Sequence, residues 1–284
     1  MVQSHGTPSQ HQSPKLLERV CEAIRTRHYS LRTEDTYLRW IKRFILFHGK
    51  RHPREMGGRE IQEFLSYLAV EGRVAASTQS QALSAIVFLY QQVLKQTIGS
   101  IDDVVHAKQP HRIPVVLTQD EVKAVLAHLS GTPWIMATLL YGAGLRVLEC
   151  LRLRVKDVDF TYNHIVVRDG KGRKDRVTML PQQVKAPLQR HLHDVQQLHG
   201  QDVQAGAGHV YLPYALERKY PNASREWVWQ YVFPAAQPSR DPRTGIIRRH
   251  HVHKLVLQRA VQTAVRKAEI PKAASCHTLR NALT

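Results

Sequence analysis

The stretch from Tyr141 to Phe160, YGAGLRVLECLRLRVKDVDF, constrains this 284-residue chain more than any other. An apolar helical run carrying Ile135, Leu139 and Leu140 ends at Gly142 and Gly144, and a second helix opens at Arg146 with Leu145, Leu148, Leu151 and Leu153 as its apolar positions. An arginine so close to an apolar face needs a partner. Either Arg146 is partly buried and paired with Glu149 or an aspartate, its stem lying along the apolar surface, or its rigid fork of donors clamps an anion such as phosphate. The residue alone leaves both readings open.

The charge balance bears on that choice. Lys and Arg number 41 against 23 Asp and Glu, a formal net charge of +18, which exceeds what solubility asks for and points to a polyanionic partner, most simply nucleic acid. A membrane partner is disfavoured, because no apolar run approaches the ~20 residues of a spanning helix and the N-terminus carries no signal-like apolar segment. Cys21, Cys150 and Cys276 are too few and too scattered for a disulfide framework or a zinc site. A cytoplasmic protein with reduced thiols is expected.

The length suggests two domains. Residues 1–14 read as a polar, disordered tail. Residues 15–103 read as a helical bundle, with amphipathic helices over Lys15–His28, Thr33–Phe47, Glu60–Val70 and Ser77–Lys95. Its polar faces carry Arg39, Lys42 and Arg43 among Arg25, Arg27, Arg32, Lys50, Arg51 and Arg54, a density that suits contact with a phosphate backbone. Residues 104–117, with Pro110 and Pro114, read as a linker, and the capping box Thr118-Gln119-Asp120-Glu121 opens a second domain over 118–284.

Within the second domain, strand-like runs His164–Arg168 and Arg176–Leu180 flank an Asp169-Gly170 turn whose tip presents Lys171, Arg173, Lys174 and Arg176. A lysine held on a hairpin can donate a proton to a leaving oxygen. Further on, His277 and Arg280 stand three residues apart, a spacing that puts an imidazole and a guanidinium on one helix face.

Taken in order, the GLR…LRLRVKDVDF block, the GKGRKDR hairpin and the HTLR box resemble the active-site boxes of the tyrosine recombinases, or phage-type integrases. Leu216–Pro234 and Asp241–His251 resemble the insertion of the integron integrases, about residues 215–251 here, and HYSLRTEDTYLRWIKRFILFHGKRHP is similar to their N-terminal domain. The resemblance implies a mainly α fold. It consists of a four-helix SAM-like core-binding domain, followed by a mixed α+β catalytic domain with a small antiparallel sheet. The implied activity is site-specific cleavage and rejoining of DNA without metal or other cofactor. Arg146 and Arg280 would hold the non-bridging oxygens of the scissile phosphate, Lys171 would protonate the departing 5′ oxygen, and His277 would assist proton transfer. The implied partners are double-stranded and folded single-stranded recombination sites, bound by a homo-oligomer.

Trp227, Trp229, Tyr231 and Phe233 could form a helix packed on the domain. As a set, with Pro242, His250 and His251, they resemble surfaces that stack extrahelical bases. A metal site at His250, His251 and His253 is disfavoured, since neither an HExxH pattern nor matching cysteines accompany them.

One departure matters. The family's box runs on to a second His or Trp and then to the nucleophilic tyrosine, whereas here Asn281-Ala282-Leu283-Thr284 follow, and all ten tyrosines, from Tyr29 to Tyr231, precede the HTLR box. The expectation is a catalytic domain lacking its C-terminal helices. It would expose apolar surface near Leu279 and assemble weakly, and it would bind sites without cleaving them unless another protomer supplies a tyrosine. The alternative is a non-enzymatic DNA-binding protein, or a dominant-negative partner, that occupies recombination sites.

Overall fold

The computed structural model describes residues 15–98, 114–168, 174–213, 216–241 and 244–282, which fall into two compact units, 15–98 and 114–282. The expected tail (1–14), most of the expected linker, the hairpin tip with Lys171, and Pro242 lie outside the described residues.

The first unit is a bundle of α1 (Leu16–Thr26), α2 (Leu31–Phe47), α3 (Gly58–Val70) and α4 (Ala76–Phe88). Val20, Ile24, Ile41, Phe44, Ile61, Phe64, Leu65, Leu68 and Ile86 fill its core, as their helical spacing dictates. The second helix begins two residues earlier than the sequence suggested, because the Ser30 hydroxyl accepts from the Thr33 N–H at 3.1 Å and caps it. The fourth helix does not run unbroken to Lys95. It widens into a π turn over Leu89–Leu94, where the buried Tyr90 hydroxyl donates to the carbonyls of Pro53 and Met56 at 2.9 and 3.0 Å.

The second unit is built around α6 (Gly131–Gly142), whose residues Ile135 to Leu140 are all buried. It follows α5 (Gln119–Ala127), which the Thr118/Glu121 capping box starts. Leu117, expected in the linker, is buried in this core. Then come the short α7 (Val147–Leu151) and an antiparallel sheet in the order β1 (Val158–Asp159), β2 (His164–Val167), β3 (Arg176–Met179). In register, Val167 pairs with Arg176 and His164 with Met179. Along β3, Val177 and Met179 are exposed while Arg176 and Thr178 face α6 and α7; the Thr178 hydroxyl donates to Ala143 O at 2.9 Å. Leu148, expected in the core, is exposed, because α7 is a single turn that buries Cys150 and Leu151 instead.

After α8 (Gln182–Gln204) comes a mostly irregular segment with α9 (Leu216–Lys219) and the two-stranded β4 (Ser239–Arg240) and β5 (Ile247–Arg248). Backbone bonds stitch it to the unit: Val155 N–H to Gln230 O at 3.0 Å, Val232 N–H to Leu153 O at 2.9 Å, and Val252 N–H to Phe233 O at 2.8 Å. The chain continues through α10 (Lys254–Lys267) and α11 (Cys276–Asn281), both packed on α6. Leu279, a residue of α11, is itself fully buried, because α11 lies directly on α6; bare apolar surface was expected near it, and among the described residues Leu279 contributes none. Among the described residues no helix is long and apolar enough to cross a membrane.

The seam between α6 and the start of α8 is close at Gly142, where a Cβ would stand 2.6 Å from Pro181 Cγ. We predict that Gly142→Ala destabilises the second unit by about 1–3 kcal/mol in urea unfolding, through overpacking against a stiff ring. An unchanged midpoint would count against this close packing.

Candidate active site

Arg146 stands at the N-cap of α7. Its backbone N–H donates to Glu149 Oε2 at 2.8 Å, and its Nη1 donates to Glu149 Oε1 at 2.6 Å. Arg176, the first residue of β3, holds the same carboxylate through Nη1 to Oε1 at 3.1 Å and Nη2 to Oε2 at 2.7 Å. Arg280, in α11, donates Nε to Gly144 O at 2.9 Å, and Arg176 Nη2 also leans on that carbonyl at 3.4 Å. Gly144 itself has φ 63°, a left-handed turn that a side chain would strain. Elements distant in sequence thus bring Arg146, Arg176 and Arg280 to one carboxylate and one carbonyl.

Three guanidiniums face one carboxylate, so positive charge is left over. Burial alone would raise the Glu149 pKa. The Arg176 hydrogen bonds, then the backbone and side-chain bonds from Arg146, outweigh that and hold it at about 2. Arg280 is pushed below its ordinary value, first by burial and then by the charges of Arg146 and Arg176. A bound anion would relieve that repulsion, which is the electrostatic mark of an anion site. Arg146 does pair with Glu149, as the plainer reading had it. Because the carboxylate is shared, that pairing leaves the clamp reading intact.

His277 lies in the first turn of α11, exposed, with its backbone N–H donating to Ser275 Oγ at 3.2 Å. In the segment expected to form an insertion, Tyr231 and Phe233 are buried, so they pack the unit and offer no stacking face. Trp229 is half-buried, with Lys156 Nζ 3.4 Å from its ring centroid. His250 stacks on Tyr231 at 5.6 Å and meets His251 at 4.1 Å. Desolvation lowers the pKa of both imidazoles, that of the half-buried His251 to about 4, so the His251 ring is neutral at neutral pH, while His250 stands exposed. Among the described residues no cluster of His, Cys, Asp or Glu could hold a metal ion.

In the first unit, Arg39, Lys42 and Arg43 are exposed on α2, Arg43 lying 4.7 Å from the Trp40 ring centroid. Arg25 and Arg51 of the expected basic face are instead paired with Glu34 and Glu60, and Arg27 bonds Gln92.

Sequence reasoning placed Arg176 on the hairpin tip and missed its place in the cluster. The alternation from Arg176 to Met179 was the available signal, since it turns Arg176 to the same side as Thr178.

Comparison with known proteins decides the family. Residues 16–100 match the phage integrase N-terminal SAM-like domain, and residues 115–284 match the phage integrase family. The chain belongs to the phage integrase family of tyrosine recombinases. An integrase/recombinase of Escherichia coli and one of Pseudomonas aeruginosa are each 46% identical over 269 residues, 95% of this chain and 80% of the relative. Among solved structures, the recombinase XerH bound to a palindromic difH substrate aligns with a TM-score of 0.59 at 18% identity, over 94% of this chain and 71% of that one. A lambda integrase dimer bound to a COC′ core site gives 0.58 at 15%, over 94% and 86%. At such identities these two show a shared recombinase fold.

The Glu149 carboxylate makes the recombinase unit acid-sensitive. Its pKa is about 2 folded against 4.5 ordinarily. Across that window the unfolded chain binds a proton that the folded carboxylate refuses, so stability is lost as pH falls from about 4.5 to about 2, on the order of 3 kcal/mol in all. Urea midpoints measured against pH should therefore fall less steeply in Glu149→Gln than in the parent, and parallel curves would refute the shared-carboxylate account.

Proposed function

We propose that this chain is an integron-type site-specific tyrosine recombinase whose 284 residues bind the recombination site and hold the scissile phosphate, while the nucleophilic tyrosine comes from outside them, from further chain or a second protomer. The observation that carries this reading is the meeting of Arg146 and Arg280, from elements 134 positions apart in sequence, in a cluster of unbalanced positive charge. In the proposed mechanism Arg146 and Arg280 donate to the two non-bridging oxygens and stabilise the charge that grows as the phosphorus becomes five-coordinate. Lys171 protonates the departing 5′ oxygen, and His277 assists proton transfer. No cofactor is needed, because fixed guanidiniums neutralise the phosphate.

Residues 15–103 act in this reading as the core-binding domain, with Arg39, Lys42 and Arg43 on the phosphate backbone, and residues 118–284 as the catalytic domain. Trp229, Pro242, His250 and His251 contact the site through the insertion at about 215–251. Neutral imidazoles and a half-exposed indole suit stacking on unpaired bases, which supports folded single-stranded sites as substrates. The DNA-bound dimer of lambda integrase, and its tetramer on a Holliday junction, support a DNA partner and assembly on it.

A nicked suicide substrate carrying a folded integron site tests the proposal. On a native gel the 284-residue protein should shift it, and on a denaturing gel no covalent band should appear. A covalent band would show that one of the ten tyrosines attacks, and the absence of a shift would remove the recombinase reading of this chain. Trp229→Ala should weaken binding of the folded site by roughly 5- to 150-fold, the worth of about one stacked base, and leave a fully paired duplex unaffected.

A further inference from the structure

The clamp reading gives Arg146 and Arg280 to the phosphate and leaves Arg176 without a task. Were Arg146 the only partner of Glu149, guanidinium and carboxylate would cancel one for one, and an arriving phosphate would meet a neutral pair. Arg176 changes that balance. It donates one bond to each oxygen of the carboxylate, at 3.1 and 2.7 Å, in a parallel fork. The Glu149 side chain is only 8% exposed while Arg146 and Arg176 are about one-third exposed, so the carboxylate is held away from water and the guanidiniums keep access to it.

The remaining donors are distributed accordingly. Arg146 uses its backbone N–H and Nη1 on Glu149, and among the described residues its Nη2 and Nε hold no partner. Arg280 uses Nε on Gly144 O, and its two terminal nitrogens likewise hold none. Arg176, by contrast, has both terminal nitrogens on Glu149, with Nη2 also at 3.4 Å from Gly144 O. One side chain therefore touches the anchors of both clamp arginines. It also opens β3 opposite Val167 of β2, at the root of the hairpin that carries Lys171.

We propose that Arg176 is a positioning residue of the recombinase site: by sharing the Glu149 carboxylate it leaves the charge of Arg146 available to the scissile phosphate and holds Arg146 and Arg280 on a common base. The inference rests on the clamp reading above. It assigns Arg176 an effect transmitted through Glu149, with no contact to DNA.

Binding of a folded integron site carrying, at the scissile position, either the native diester or a methylphosphonate tests this, since the methylphosphonate has a methyl group in place of one non-bridging oxygen and carries no charge. The full 284-residue protein should prefer the diester by roughly 10- to 100-fold, the worth of a charge-assisted contact. Arg176→Ala should reduce that preference to within about threefold, Arg176→Lys should recover part of it, and the double variant Arg176→Ala/Glu149→Gln should restore it, because no unbalanced carboxylate then draws on Arg146. A misfolded protein would weaken both ligands alike. Should Arg176→Ala fail to fold, Arg176→Gln, which keeps donors and loses the charge, should show the same lost preference. A preference unchanged in both single variants overturns the proposal, and so does a folded double variant that stays non-discriminating, which would place Arg176 on the phosphate itself. If the parent protein shows no preference, the clamp reading fails first and takes this inference with it.

Discussion

A single nearly buried carboxylate organises the second unit. Glu149 accepts four hydrogen bonds, two from Arg146 and two from Arg176, and so joins the start of α7 to the start of β3. Burying a charge is costly unless it is paired and fully bonded. Here the pairing goes past neutrality, and the surplus lies toward Arg280, whose Nε rests on Gly144 O. The Gly142–Gly144 turn, the closeness of Gly142 to Pro181 and the burial of α11 on α6 each bring one of these arginines into place. Packing and electrostatics cannot be separated here, since the apolar α6 is what holds like charges near one another.

The segment between α8 and α10 is secured by a different device. Its apolar cluster, Val210, Leu212, Ala223 and Tyr231, is small, and largely buried arginines do much of the fastening. Arg154 donates to Trp229 O at 2.6 Å and Tyr211 O at 2.7 Å, Arg248 bonds Glu217 at 2.9 Å, and Arg249 bonds Asp202 along with the carbonyls of Ala235 and Ala236. Guanidinium forks reach several carbonyls at once, so irregular backbone that neither helix nor sheet pairs is still satisfied. The ammonium of Lys156 over Trp229 belongs to the same framework.

Much of this was legible in the sequence, and for identifiable reasons. Helical spacing located the four helices of the first unit, because each must bury one apolar stripe. The Asp-Gly turn between β-branched runs located the β2–β3 hairpin. The Thr118/Glu121 box located the start of α5, where both reciprocal bonds form, the Glu121 carboxylate accepting from the Thr118 N–H at 2.7 Å. Membership of the recombinase family followed from the order of short boxes, each weak by itself. The misses share one cause. Leu148 was assigned inward on helical periodicity although α7 is one turn long, Phe233 was read as a candidate surface ring although it is buried, and bare apolar surface was expected near Leu279 although that residue is buried where α11 meets α6. In each case the deciding neighbour is remote in sequence.

The sequence by itself determined the four helices of the first unit, the β2–β3 hairpin, the positive charge and the family, since these depend on composition and on contacts within a few residues. Only the tertiary structure decided that Arg176 belongs with Arg146 and Arg280, because the side to which a strand residue turns, and the carboxylate it meets 27 positions away, depend on how the sheet lies on α6 and α7. Charge sharing is a property of that assembled packing, and no single stretch of chain contains it.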